Sequence, residues 1–199
     1  MFGLERLLRG KRVILASQSP RRKELLGMIT EDFEVCPAYA DEVIPVGVTA
    51  FFVSVMLAEQ KCTEVVERIA PDDKTVVIAC DTAVIYENRI FGKPKNKKEA
   101  FDMLRALSGN THFVSSGYCI YYKGRYFKRM ESASVTFSDL SDDDIKEYIA
   151  TGEPMDKAGA YGIQGKGGLF VRKIVGDYYT IVGLPVNSVA QLLSDILLN

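Results

Sequence analysis

The sequence predicts an α/β fold: a mixed central sheet flanked by helices, with room for two lobes about a cleft. Three observations carry that class. Short apolar runs of strand character alternate with stretches of helical period along the chain. The run at residues 75–80, TVVIAC, has apolar residues on both faces, as a central strand covered on both sides would. Two long strand-like segments, 111–122 and 125–137, are joined only by Lys123-Gly124 and must pair with each other.

The elements follow in order. Leucines among charges in the first twelve residues suit a short docking helix and lack the apolar block of a secretory signal. Residues 13–16 form a first strand, and Ser19 caps a helix from Pro20 to about Met28, where proline suits the first turn. A second strand is expected at 33–36 and a long amphipathic helix at 49–69. The strand ending at Cys80 is followed by 83–86, a turn at Glu87-Asn88 and 89–91, which reads as a hairpin. Asn96 with Glu99 opens a helix that Gly109 ends. After the long strand pair, Ser141 with three aspartates marks another helix start, and that helix stops at Gly152. A glycine-rich loop runs to Gly168, a second hairpin turns at Gly176-Asp177, and Pro185 opens a closing helix through Leu197.

Composition narrows the function classes. At 199 residues, 47% hydrophobic, the chain supports one domain, 1–199, with a sizeable core. Twenty-five basic against 26 acidic residues leave a net charge of −1, so the basic surface of a general nucleic-acid binder is missing. No apolar run is long enough to span a bilayer, and no membrane partner is expected. Cys36, Cys62, Cys80 and Cys119 are widely spaced, with a single histidine, His112, to help them. That pattern favours free thiols in a cytoplasmic protein over a structural zinc site. The apolar closing hairpin and helix would suit a homodimer.

Four stretches could carry chemistry. In Ser17-Gln18-Ser19-Pro20-Arg21-Arg22, two hydroxyls, free backbone N–H groups and two guanidiniums converge where a strand passes into a helix, an assembly suited to a phosphate chain. The helix dipole contributes about 0.3–1 kcal/mol. Each hydrogen bond to a charged phosphate contributes about 1.5–3 kcal/mol, so the side chains should dominate. A capped helix with solvent-facing arginines is the plain alternative. Asp81-Thr82 follows the central strand, where an acid is placed to hold a metal or orient a water; a carboxylate capping a turn is an equal reading. Asp41-Glu42 adds carboxylates, and a magnesium-type ion needs one or two of these beside phosphate oxygens. Lys61 lies in the long helix, and Lys93, between Gly92 and Pro94, is the better restrained ammonium. In residues 153–165, EPMDKAGAYGIQG, small residues shape backbone closely around something, and Gln164 has the donor and acceptor that a uracil or thymine ring would need.

Together, residues 13–26 (VILASQSPRRKELL), 80–82 with 92–94, 104–112 (LRALSGNTH), 153–165 and 181–185 (IVGLP) resemble the Maf family of nucleoside triphosphate pyrophosphatases, in its order and over nearly the whole chain. The long EPMDKAGAYGIQG string is the most specific part and is similar to the dTTP/UTP branch. The resemblance implies a metal-dependent cut, with Mg²⁺ or Mn²⁺, between the α- and β-phosphates. It implies Asp81 as the proton acceptor. Arg21, Thr82 and Gln164 would govern substrate choice, while Ser17, Arg22, Glu42, Lys61 and Lys93 would line the surrounding polar cleft. In the mechanism that follows from this, Asp81 and Glu42 hold the metal. Gln18 departs from the small residue common between the two serines, without removing a phosphate ligand. The rival class is a regulatory protein that binds pyrimidine triphosphates and does not cut them.

Overall fold

The computed structural model describes residues 3–39, 43–44 and 47–198. At its centre β1 (Arg12–Leu15) lies between β2 (Glu34–Val35) and β3 (Thr75–Tyr86), parallel to both. β3 pairs antiparallel with β5 (Thr111–Tyr122), β5 with β6 (Arg125–Phe137), and β6 with β7 (Val171–Val175). The short β4 (Arg89–Phe91) runs beside the far end of β3, completing a mixed sheet of seven strands among the described residues.

Turn chemistry fixes the two hairpins. Glu87 and Asn88, then Lys123 and Gly124, all take positive φ, which two-residue loops need to match the strand twist. The helix starts are capped as their residue types require: Ser19 accepts from the Arg22 amide, Asn96 from the Glu99 amide, and Ser141 with Asp144 forms a reciprocal capping box.

Alternation along β3 divides the core. Val77 and Ala79, with Ile14 and Cys119, pack against Ala58, Cys62 and Val65 of α3 (Ala50–Ile69). On the other face lie two separate cores. Val76, Ile78 and Cys80 meet α1 (Leu4–Leu8), α2 (Pro20–Gly27) and α7 (Val186–Leu198) through leucines such as Leu8, Leu26 and Leu193. Farther along, Val84, Val114 and Val135 meet α4 (Lys97–Leu107) and α5 (Asp142–Ala150) through Leu104, Leu107 and Ile145. These are the two lobes, and β3 and β5 pass through both.

Helix α3 lies unusually low on the sheet. A Cβ at Gly117 would overlap the backbone nitrogen of Val55, and beside it Ser54 and Ser115 share a 2.8 Å hydrogen bond. Glycine at 117 is what lets a helix backbone rest on β5 there.

Two expectations need correcting. β3 does not end at Cys80 but continues through Asp81 and Thr82 to Tyr86, because β5 pairs with it along its length. The second hairpin has only one arm: after β7 and Gly176 the chain forms α6 (Tyr178–Val182). Asp177 causes this by accepting from the Thr180 amide at 2.7 Å and its hydroxyl at 2.8 Å, a cap that overrides the strand propensity of Tyr-Tyr-Thr-Ile-Val. The closing helix packs its apolar face on the core beside α1 and α2. The glycine-rich segment is a series of short 3-10 turns over Glu153–Asp156, Ala158–Ala160 and Lys166–Phe170. Among the described residues no helix is long and apolar enough to cross a membrane.

Candidate active site

The topology leaves a notch in the sheet. β5 covers one edge of β3 from Val76 to Ile85. On the opposite edge β1 reaches only to Ile78, and β4 begins only at Val84. Asp81 and Thr82 sit in the uncovered stretch between them, and by strand alternation they project to opposite faces. The chain leaving β1 passes into the Ser17–Arg22 turn at this same point, at the carboxyl end of a parallel strand, where open α/β sheets bind ligands.

On the face of the two cores, a polar belt separates them, and Arg22 is its centre. Its Nε donates to Gly183 O at 2.9 Å, one terminal nitrogen to Ser17 Oγ at 3.4 Å and the other to Thr82 Oγ1 at 3.0 Å. Thr82 and Ser116 hydroxyls lie 2.8 Å apart, and Ser116 donates to Thr180 O at 2.7 Å. The donors therefore run in one direction, from guanidinium through two hydroxyls to a carbonyl. Gly183 has φ +128°, a conformation that side chains rarely adopt, and turns its carbonyl toward Arg22. The Cys80 thiol also donates to that carbonyl at 3.1 Å; burial pushes its pKa up to about 11, so it stays protonated.

On the face of α3, the Lys61 ammonium is hydrogen-bonded to Asp81 Oδ1, and both side chains are largely buried. Among the described residues Asp81 Oδ2 has no hydrogen-bond partner. The low seat of α3 on Gly117, which pairs directly with Asp81 in the sheet, brings Lys61 within reach six residues further along the helix.

The 153–168 segment forms the third wall. Glu153 Oε1 accepts from Tyr148 Oη at 2.8 Å and from the Gly167 amide at 3.2 Å, while Oε2 accepts from the Lys166 amide at 3.0 Å. Burial opposes ionisation of Glu153. The Tyr148 hydroxyl, the two amides and the Lys157 charge outweigh it and hold the carboxyl below its ordinary value. Tyr148 Oη accepts in turn from the Gly162 amide at 3.1 Å. Gln164 sits at the exposed crest of this turn. The positive charge of Arg21 contributes to lowering the Asp156 pKa, after the Lys157 hydrogen bond and charge, which relates the arginine turn to this segment. Gly159 N donates to Gly92 O at 3.1 Å, tying the loop that carries exposed Lys93 to the same wall.

Ser17, Arg22 and Thr82 are thus directly joined, and Lys61 and Asp81 form a second joined pair one residue away along β3. Arg21, Lys93 and Gln164 are not hydrogen-bonded to either group; Glu42, expected as a metal ligand, lies outside the described residues. Sequence reasoning gave no role to Ser116, Thr180, Gly183, Tyr148 and Glu153, although Glu153 and Gly183 lie in stretches it singled out. A signal existed for some of them: Ser115-Ser116 interrupts a buried apolar strand, and residues 181–185 stood out as a motif with no role.

Comparison with known proteins adds the following. The family described as Maf-like protein matches residues 12–196. A Clostridium botulinum protein named dTTP/UTP pyrophosphatase is 47% identical over 192 residues, 95% of this chain and 99% of that one. Relatives of the same name from Thermococcus kodakarensis and Bacillus anthracis are 46% and 44% identical, covering 90% and 91% of this chain and 94% and 93% of their own. In architecture the chain is similar to the Staphylococcus aureus Ham1 protein, with a TM-score of 0.52 at 15% identity over 93% of this chain and 99% of that one.

Proposed function

Because this chain belongs to the Maf-like family, we propose that it hydrolyses dTTP and UTP to the nucleoside monophosphate and pyrophosphate. The observation that carries this reading is the notch: a carboxylate, an ammonium, a guanidinium and two hydroxyls gather at one uncovered stretch of β3.

The triphosphate lies along the Ser17–Arg22 turn. Arg21, which has no hydrogen bond among the described residues, and Lys93 bind its β- and γ-phosphates, while Arg22 holds the turn and Thr82 in place. Asp81 takes a proton from the water that attacks the α-phosphorus. The P–O bond to the β-phosphate breaks, and the departing pyrophosphate keeps the electron pair against Arg21 and Lys93. Lys61 fixes the Asp81 carboxylate through Oδ1 and leaves Oδ2 for that proton. Positioning and charge stabilisation are the main contributions a protein makes to such a transfer. Gln164 reads the N3–H and O4 edge of the pyrimidine.

The donor set suits a hard cation, since among the described residues Lys61 engages only one oxygen of the Asp81 carboxylate, and Mg²⁺ or Mn²⁺ asks for only one or two carboxylates. Asp81 and Glu42 would hold it, and it would supply neutralisation of triphosphate charge. Free cysteines, three of them buried, fit a cytoplasmic setting.

A pyrophosphate-release assay across dTTP, UTP, CTP, ATP and GTP, with Mg²⁺ or Mn²⁺ and with EDTA, tests the whole reading. Turnover should be confined to dTTP and UTP and lost with chelator, and Asp81→Asn should lower kcat on the order of 10²-fold. Binding without pyrophosphate release would make the protein a nucleotide sensor instead.

A further inference from the structure

Gln164 can read a base only if the turn that carries it is held still, and nothing in its own side chain does that. The turn spans Gly162 to Gly167, and both of its ends are fastened to one pair of side chains. Gly162 donates its amide to Tyr148 Oη at 3.1 Å. The Lys166 and Gly167 amides donate to the Glu153 carboxylate at 3.0 and 3.2 Å, and Tyr148 donates to that same carboxylate at 2.8 Å. Within the turn, the Gly165 amide closes onto Gly162 O at 3.2 Å.

The glycines show how closely the backbone is drawn in. A Cβ at Gly165 would overlap the Glu153 carboxylate, and one at Gly167 would come within 2.6 Å of Tyr148 Oη. The chain from 162 to 167 is wrapped around a single negative charge, and Gln164 is carried at its middle.

We propose that Glu153 is a positioning residue for base recognition, setting the backbone course from which Gln164 meets the pyrimidine. The inference rests on the role of Gln164 given above. Its chemistry makes a sharp substitution available. Glu153→Gln keeps the shape of the side chain but replaces one acceptor oxygen with a donor group. An amide can accept at its oxygen alone, so at least one of the Lys166 and Gly167 amides then faces another donor.

The experiment measures KM and kcat for dTTP, UTP, CTP and ATP in the wild type, Glu153→Gln, Gln164→Ala and the double variant, with thermal unfolding of each. Glu153→Gln is expected to raise KM for dTTP and UTP roughly tenfold with kcat little changed, and to flatten the preference over CTP and ATP. The double variant should be no worse than Gln164→Ala, because both changes remove one device. Should Glu153→Gln keep the preference that Gln164→Ala loses, or slow all four substrates equally through kcat, the positioning role is overturned. Should Gln164→Ala itself leave the preference intact, the assignment of Gln164 fails first and the role of Glu153 falls with it. If Glu153→Gln does not fold, Tyr148→Phe keeps the ring against Phe170 and removes only the hydroxyl shared by Glu153 and Gly162. The same shift in KM is expected there, and its absence overturns the proposal.

Discussion

Arg21 and Arg22 are neighbours in the chain with different surroundings. Arg22 is bonded to three partners, two of them 60 and 161 residues away, and removing it would leave the Gly183 carbonyl and Thr82 without their strongest donor. Arg21 has no side-chain hydrogen bond among the described residues, and in the proposed mechanism its guanidinium binds the substrate phosphates. His112 is a different single-residue case. It is fully buried, its Nε2 lies 2.8 Å from Tyr161 Oη, and Nδ1 has no partner. Burial lowers its pKa from 6.5 to about 4. The unfolded chain therefore binds a proton at a pH where the folded chain does not. The stability that depends on neutral His112 is complete above pH 6.5 and declines as pH falls toward 4, by about 3 kcal/mol in all. Because the chain has one histidine, its imidazole resonances can be followed without assignment. They should not titrate above pH 5, and a midpoint near 6.5 would show that the ring is open to water. In sequence, His112 was visible as a poor candidate for zinc and as the end of the 104–112 stretch, without its structural role; its partners at 137 and 161 are far away in the chain.

At the scale of elements, the placement of α3 decides whether Lys61 meets Asp81. That placement depends on Gly117, opposite Asp81 on β5, where even a methyl group would collide with backbone rather than with a side chain that could turn aside. Gly117→Ala should destabilise the fold by about 1–3 kcal/mol, the range for overpacking without relief. It should also lower kcat by lifting Lys61 from the carboxylate. Urea unfolding and steady-state kinetics on the same preparation would check both; wild-type stability would mean that the helix has room to rise. Nearly every element was legible beforehand where local chemistry states it: caps at Ser19, Asn96 and Ser141, and the two hairpin turns. The two failures have different causes. Tyr178–Val182 has strand composition, yet the Asp177 cap and burial of Thr180 make it a helix. β3 runs past Cys80 because of a partner strand, which no local pattern reveals.

The candidate site exists only at the scale of the whole molecule. Ser17, Arg22, Lys61, Asp81 and Thr82 were named from the sequence, but the notch that gathers them comes from strand order, with β1 and β4 sharing one edge of β3 and falling short of each other. The two cores beside it touch across the Arg22–Thr82–Ser116 belt and are crossed by the same strands, with Val76 of β3 in one and Val84 in the other. Separate cores could unfold separately if their strands ended between them. Here β3 and β5 pair without a break across the boundary, through Asp81–Gly117 and Thr82–Ser116, so losing one core strips half of a ladder that the other requires. Unfolding should therefore be a single cooperative transition. Methyl resonances of Val76 and Val135, one from each core, are suitable probes because each is fully buried. Both should lose their native signals at the same urea concentration, and two distinct midpoints would mean that the belt is a hinge between independently stable lobes.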